Sequence, residues 1–261
     1  MKQDEKQERR RRRGIYLLPN LFTTGTLFGG FYAIIAAGQG KFGLAAIAVF
    51  AAMVTDMLDG LSARLTRTES DFGVQYDSLA DLVAFGLAAA LVAYLYSLYT
   101  LSDFGFMGGK LGWLAAFFYT AAAALRLARF NIQRGTTVEH KHFLGLPSPA
   151  AAGLVVSFVW VGNDAGMDGF TLVVPLFVVT VCAGALMVSN IRFYSFKALD
   201  LSERVPFKYI LALVGAFVLV SLNPPRVLLV VFLLYAASGP YSAINRWRRR
   251  RSLARRIKRE T

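Results

Sequence analysis

Residues 42–66 read FGLAAIAVFAAMVTDMLDGLSARLT. The run from Phe42 to Val54 carries no charge, and a segment of this length, at 1.5 Å per residue, crosses the roughly 30 Å hydrocarbon layer of a bilayer as a helix. Its second half nonetheless holds Asp56, Asp59 and Arg64. A carboxylate inside a spanning helix costs about 2.5–3.5 kcal/mol on insertion scales, and such residues are retained for function. One stretch therefore predicts a transmembrane helix and marks where chemistry is expected.

Working outward, comparable apolar segments occur at 17–38, 72–100, 111–132, 145–162, 170–188, 206–223 and 225–244, separated by short connectors rich in Gly, Pro, Asn or Asp. With 42–66 they make an all-α, polytopic bundle of eight spans. Asn223-Pro224-Pro225 divides the last two, because each proline lacks a backbone donor and disfavours helix in the residue before it. The composition agrees. Of 261 residues 56% are hydrophobic and only 17% charged, against roughly 25% charged in an ordinary soluble domain. A single cysteine, Cys182, excludes an internal disulfide framework and a cysteine-rich metal cluster. No cleavable signal peptide is evident, since the first apolar stretch follows a long basic segment.

The net charge of +13 is segregated rather than spread. With both termini on one side, 26 of the 29 Lys and Arg residues fall on that side, leaving Lys41, Lys110 and Arg226 opposite. Positive charge accumulates in cytoplasmic loops, so both tails are expected to be cytoplasmic. The runs Arg9–Arg13 and Arg246–Arg259 abut apolar spans. Juxtamembrane basic residues are drawn to anionic lipid at about 1 kcal/mol each, which makes the bilayer, and not a nucleic acid, their expected partner.

A second acidic stretch follows the first, Gly73-Val74-Gln75-Tyr76-Asp77-Ser78-Leu79-Ala80-Asp81. At about 100° per residue, Asp56, Asp59, Gly60, Ala63 and Arg64 share an arc of roughly 140°, and Gly73, Asp77 and Asp81 fall within about 80° on the next helix. The short connector near 65–72 makes the two helices neighbours, so their acidic faces can meet. Four carboxylates in a poorly hydrated pocket repel one another unless cations neutralise them. Two divalent ions with oxygen ligands, Mg²⁺ or Mn²⁺, suit that role. Gly60, Ala63 and Gly73 keep side chains away from the same face, and Arg64 offers a fixed cation for phosphate. Ion pairing alone is a poor explanation, because Arg64 and Arg67 cannot neutralise four acids.

The full pattern, Asp56-x2-Asp59-Gly60-x2-Ala63-Arg64-x8-Gly73-x3-Asp77-x3-Asp81, resembles at every fixed position the signature of the CDP-alcohol phosphotransferases. The resemblance covers about residues 15–190. It implies a six-helix membrane core, usually in a homodimer, that moves a phosphate-bearing group from a CDP-linked donor to an alcohol and releases CMP. Carried over by position, Asp56, Asp59, Asp77 and Asp81 would hold two divalent metals that clamp the diphosphate. Gly60, Ala63, Arg64 and Gly73 would line the cytidine-phosphate pocket. Asp81 resembles the family's general base, a role in tension with tight metal ligation, which lowers basicity. The stretches Leu18-Pro19-Asn20-Leu21-Phe22-Thr23, Gly145-Leu146-Pro147-Ser148-Pro149-Ala150 and Ser189–Lys197 are most similar to the membrane-integral branch with CDP-diacylglycerol as donor and L-serine as acceptor. Two spans beyond the six-helix core fit that branch.

Serine carries a carboxylate, so its pocket needs a cation. Arg126, Arg129 and Arg192 are candidates, with Arg129 paired with Asn131, and Arg192 with Lys197 beside Asn190, preferred. Each basic residue also serves as a topology anchor. His140-Lys141-His142 reads as a solvated loop. Ser148 between two prolines reads as a rigid helix entry rather than a nucleophile. Gly25-x3-Gly29 is a close-packing motif for a helix or dimer interface.

The expected organisation is a basic tail at 1–14, the core at 15–190, a connector and two further spans at 191–245, and a basic tail at 246–261. A prokaryotic inner membrane with the active site on the cytoplasmic side fits it. Two alternatives remain at this stage: the same chemistry with glycerol 3-phosphate or inositol phosphate as acceptor, and a cation-coupled transporter. Transporters hold such acids near the midplane between inverted repeats, whereas these lie near the cytoplasmic ends.

Overall fold

A computed structural model describes residues 2–66, 70–133, 142–194, 215 and 218–260, with side chains described for 20–62, 70–132, 144–193, 215, 218–246 and 248. The expected span at 206–223 therefore lies mostly outside the described residues, as do the side chains of Ala63, Arg64 and Lys197 and the 134–141 loop with His140. The other seven expected spans fall on helices.

Helix α1 runs Lys2–Gly38 and α2 Phe42–Thr66. The third span begins as α3, Asp71–Asp81, passes into a π-helical segment, Leu82–Ala88, and ends as α4, Ala89–Tyr96. It stops short of the expected boundary at 100, and a 3₁₀ segment, Leu98–Phe104, takes over. There follow α5 (Phe106–Gln133), α6 (Ser148–Asp164), α7 (Val173–Val188) and α8 (Pro224–Glu260). Windows within α1, α2, α3–α4, α5 and α8 are long and apolar enough to cross a membrane, and α7 is a shorter apolar helix. At 37 residues each, α1 and α8 are about 55 Å long, far more than the hydrocarbon thickness. Their basic ends extend the spanning helices and do not break from them.

Hydrophobic attraction does not hold helices together in lipid, so close packing of small residues must do so. The buried core has that composition: Ala33, Ala36, Ala45, Ala46, Ala84, Ala88 and Ala123 are all buried. A Cβ on Gly29 would lie 3.0 Å from the Ala48 carbonyl oxygen and the Ala52 Cβ, and one on Gly25 would lie 3.4 Å from Thr55. The Gly25-x3-Gly29 motif therefore seats α1 on α2 within the chain. Helix α6 lies at the centre, buried from Ala150 to Ser157, while Phe28, Phe31, Ile47, Val54 and Phe117 are exposed on the outside. A chain with this inside-out distribution and, among the described residues, five membrane-length helices is an integral membrane protein.

Two features were not anticipated from sequence. The π segment follows Asp81 directly. Helix α5 backs it with two hydroxyls: the buried Tyr119 hydroxyl donates to the Phe85 carbonyl at 3.1 Å, and Thr120 donates to Gly86 at 3.5 Å. The second is a short antiparallel ribbon between the two connectors read as cytoplasmic, β1 (His142–Leu144) with β2 (Arg192–Tyr194), in the register Phe143 to Phe193. Gly145, at φ +80°, turns the chain out of β1, and a Cβ there would collide with the Met187 carbonyl.

Candidate active site

The acids lie at one end of the bundle because α2 and α3 are consecutive and antiparallel across a short connector. Ser70 fixes the start of α3, its hydroxyl accepting the Gly73 amide at 3.0 Å. From there the i, i+4 spacing stacks Gly73, Asp77 and Asp81 on one face. Carboxylate oxygens of Asp56, Asp77 and Asp81 come within 4.8 Å of one another, all three side chains half-buried. This is the convergence of two acidic faces expected from sequence.

Asp59 stands beside that trio. It is 7% exposed, and its Oδ2 accepts a 2.6 Å hydrogen bond from Thr23 of α1. Its Oδ1 is enclosed without a hydrogen-bond partner, and so is Oδ1 of Asp81. Enclosed carboxylate oxygens lacking donors are costly, and a hard divalent cation removes that cost by direct ligation. These residues therefore fit divalent metal. The position a Cβ would take on Gly60 is open, with no atom within 4 Å, whereas Gly73 meets the Ser70 hydroxyl at 3.2 Å. Open space over α2 next to Asp56 and Asp59 suits a flat ligand.

The acceptor-site candidates are placed differently from one another. Arg129 is tied to the connectors: Nη2 donates to the Leu144 and Ser189 carbonyls at 2.7 and 3.3 Å, and Nη1 to the Asn190 amide oxygen at 3.2 Å and the Val188 carbonyl at 3.4 Å. It clamps α5 to the β-ribbon. Asn131 donates to the Ser78 hydroxyl at 2.9 Å, fixing α5 to α3 between Asp77 and Asp81. Arg192 is exposed on β2.

Arg126, one turn before Arg129, is the basic residue whose charge acts on the acids. It is 9% exposed and interacts electrostatically with Asp81 and Asp56. Its Nη1 donates to the Ser148 hydroxyl at 2.8 Å, and its Nε lacks a partner. Ser148 thus begins α6 and also holds a guanidinium. The sequence signal, a charge within the apolar stretch 111–132, is shared by Arg126 and Arg129 and does not separate them.

The sequence profile of the CDP-alcohol phosphatidyltransferase family matches residues 16–182, from α1 into α7. The chain belongs to that family. All four aspartates, Arg126 and Ser148 lie within the family domain, whereas β2 and α8 lie beyond it. Curated relatives agree. A Helicobacter pylori protein named CDP-diacylglycerol–serine O-phosphatidyltransferase is 39% identical over 89% of this chain and 92% of its own length. Proteins of the same name from Bacillus subtilis and Methanocaldococcus jannaschii are 33% and 32% identical, over 69% and 73% of this chain and 91% and 80% of theirs.

Proposed function

We propose that the protein transfers the phosphatidyl group of CDP-diacylglycerol to the hydroxyl of L-serine, giving phosphatidylserine and CMP. The observation that carries this reading is the buried Arg126, held by Ser148 and set against the acid cluster. A single buried guanidinium suits one carboxylate. An acceptor bearing a phosphate would call for several cations there, and the nearby Arg129 is committed to connector carbonyls. The names of the relatives support the same donor and acceptor.

In this mechanism Asp56, Asp59, Asp77 and Asp81 would hold two divalent cations, Mg²⁺ or Mn²⁺, whose charge would offset that of the donor diphosphate. Gly60 and Gly73, with Ala63 and Arg64, accommodate the cytidine phosphate. Arg126 takes the serine carboxylate and thereby fixes the hydroxyl near the acids. Arg129 and Asn131 act by holding the connector and α3 in place, and Asn190, Arg192 and Lys197 stay assigned to the acceptor side by their sequence alone, Lys197 lying outside the described residues. Asp81 receives the hydroxyl proton as the serine oxygen bonds to the phosphorus that carries diacylglycerol. The bond from that phosphorus to the bridging oxygen breaks, and CMP leaves with that oxygen.

The protein is further read as a homodimer of a prokaryotic inner membrane, with both termini and the site cytoplasmic and the basic tails on anionic lipid. Its units are the tail 1–14, the core 15–190, the region 191–245 and the tail 246–261. Purified protein given CDP-diacylglycerol, Mn²⁺ and each of serine, glycerol 3-phosphate and inositol phosphate tests the assignment by CMP release. Release with serine is expected. Turnover with another alcohol and none with serine overturns it.

A further inference from the structure

Helix α1 carries no acid between Asn20 and Gly38, yet three of its threonines reach the two helices that carry the acids. Thr23, 2% exposed, donates to Oδ2 of Asp59 at 2.6 Å. Thr26, 1% exposed, shares a 2.9 Å hydrogen bond with Thr55, the residue before Asp56. Thr24 shares one of 3.0 Å with Tyr76, the residue before Asp77. The helical period places Thr23 and Thr26 on the α2 side and turns Thr24 toward α3. Gly25 and Gly29, seated against Thr55 and Ala52, bring the backbones close enough for these bonds.

We propose that Thr23, Thr24 and Thr26 are positioning residues which fix the separation and rotation of α2 and α3, and so the spacing of the four acids toward divalent metal. Thr23 has the most direct part. By occupying Oδ2 of Asp59 it leaves the enclosed, donorless Oδ1 as that residue's ligating atom. Hydrogen bonds to a ligand's second atom orient it and tune its basicity, and their loss typically weakens metal affinity about 10–100-fold. Thr26 and Thr24 act one residue away from a ligand, on Thr55 and Tyr76, and hold the rotation of each helix. This rests on the reading that the aspartates bind divalent cations.

The test is Mn²⁺ affinity, measured by electron paramagnetic resonance on purified full-length protein without donor or serine. Thr23→Val should bind Mn²⁺ at least about tenfold more weakly than wild type. Thr23→Ser, which keeps the hydroxyl, should bind like wild type. Thr180→Val removes an equally buried hydroxyl that donates only within α7, and should also bind like wild type. The KM for serine should stay unchanged in Thr23→Val, because Arg126 is untouched. If Thr23→Val binds within about tenfold of wild type, or if Thr23→Ser loses as much as Thr23→Val, the proposal is overturned. Should Thr23→Val not fold, Thr23→Ala, which removes the same hydroxyl with less bulk, carries the same test with the same threshold. Wild-type protein that binds no Mn²⁺ would instead break the underlying metal reading.

Discussion

Replacing Arg126 with lysine keeps the charge next to Asp81 and removes the planar fork. The guanidinium is nine-tenths buried, so water cannot take over for a lost partner and the full value of the bond is exposed. Arginine can give a carboxylate two parallel N–H bonds, whereas the lysine ammonium acts as a point charge. One charge-assisted hydrogen bond contributes about 1.5–3 kcal/mol, and each 1.4 kcal/mol is tenfold. The KM for serine should therefore rise about 10- to 140-fold in Arg126→Lys. Ser148→Ala should shift it in the same direction, because Nη1 loses its anchor and the guanidinium can swing. The assay is the initial rate of CMP release against serine concentration at saturating CDP-diacylglycerol, with the donor titration as control. A serine KM unchanged in Arg126→Lys, or equal losses toward both substrates, would refute the assignment of Arg126 to the acceptor.

Other perturbations follow from the same geometry. Asp77→Asn removes one carboxylate of the trio and should abolish CMP release while leaving the melting temperature near wild type; full activity would refute its role as a ligand. Chelation with EDTA should stop turnover, with recovery on added Mn²⁺ or Mg²⁺, read by the same CMP assay. Tyr119→Phe removes the buried hydroxyl that donates to the Phe85 carbonyl of the π segment and should cost about 0.5–1.5 kcal/mol, seen as a lower melting temperature in detergent. Gly145→Ala forces a side chain into the left-handed region and against the Met187 carbonyl, so it should destabilise by at least about 1–2 kcal/mol in the same thermal assay.

The helices of seven expected spans and the acid cluster were legible because their signals are local. A twenty-residue apolar run and an i, i+4 pair of aspartates announce themselves within one segment, and the short 65–72 connector made the two acidic helices neighbours. What the sequence left open depends on contacts between distant segments. Arg126 and Arg129 sit one turn apart on α5, and nothing in that helix says which of them faces the acids. The packing of α6 decides it by presenting Ser148. The bond from Thr23 to Asp59 joins residues 36 positions apart, and the Leu18–Thr23 stretch does not by itself say which acid the hydroxyl reaches. The π segment at Leu82–Ala88 reads as ordinary apolar helix, and the α5 hydroxyl that meets it comes from a residue 34 positions away. The β-ribbon pairs connectors 48 residues apart, an alignment that no single-segment pattern encodes.

The most direct test of the whole account follows isotopically labelled serine into lipid while counting CMP from purified protein, CDP-diacylglycerol and Mn²⁺. One labelled phosphatidylserine for each CMP is the expected result, with both products lost together in Asp77→Asn. CMP released alongside phosphatidic acid, with no label in lipid, would make water the acceptor and contradict the account.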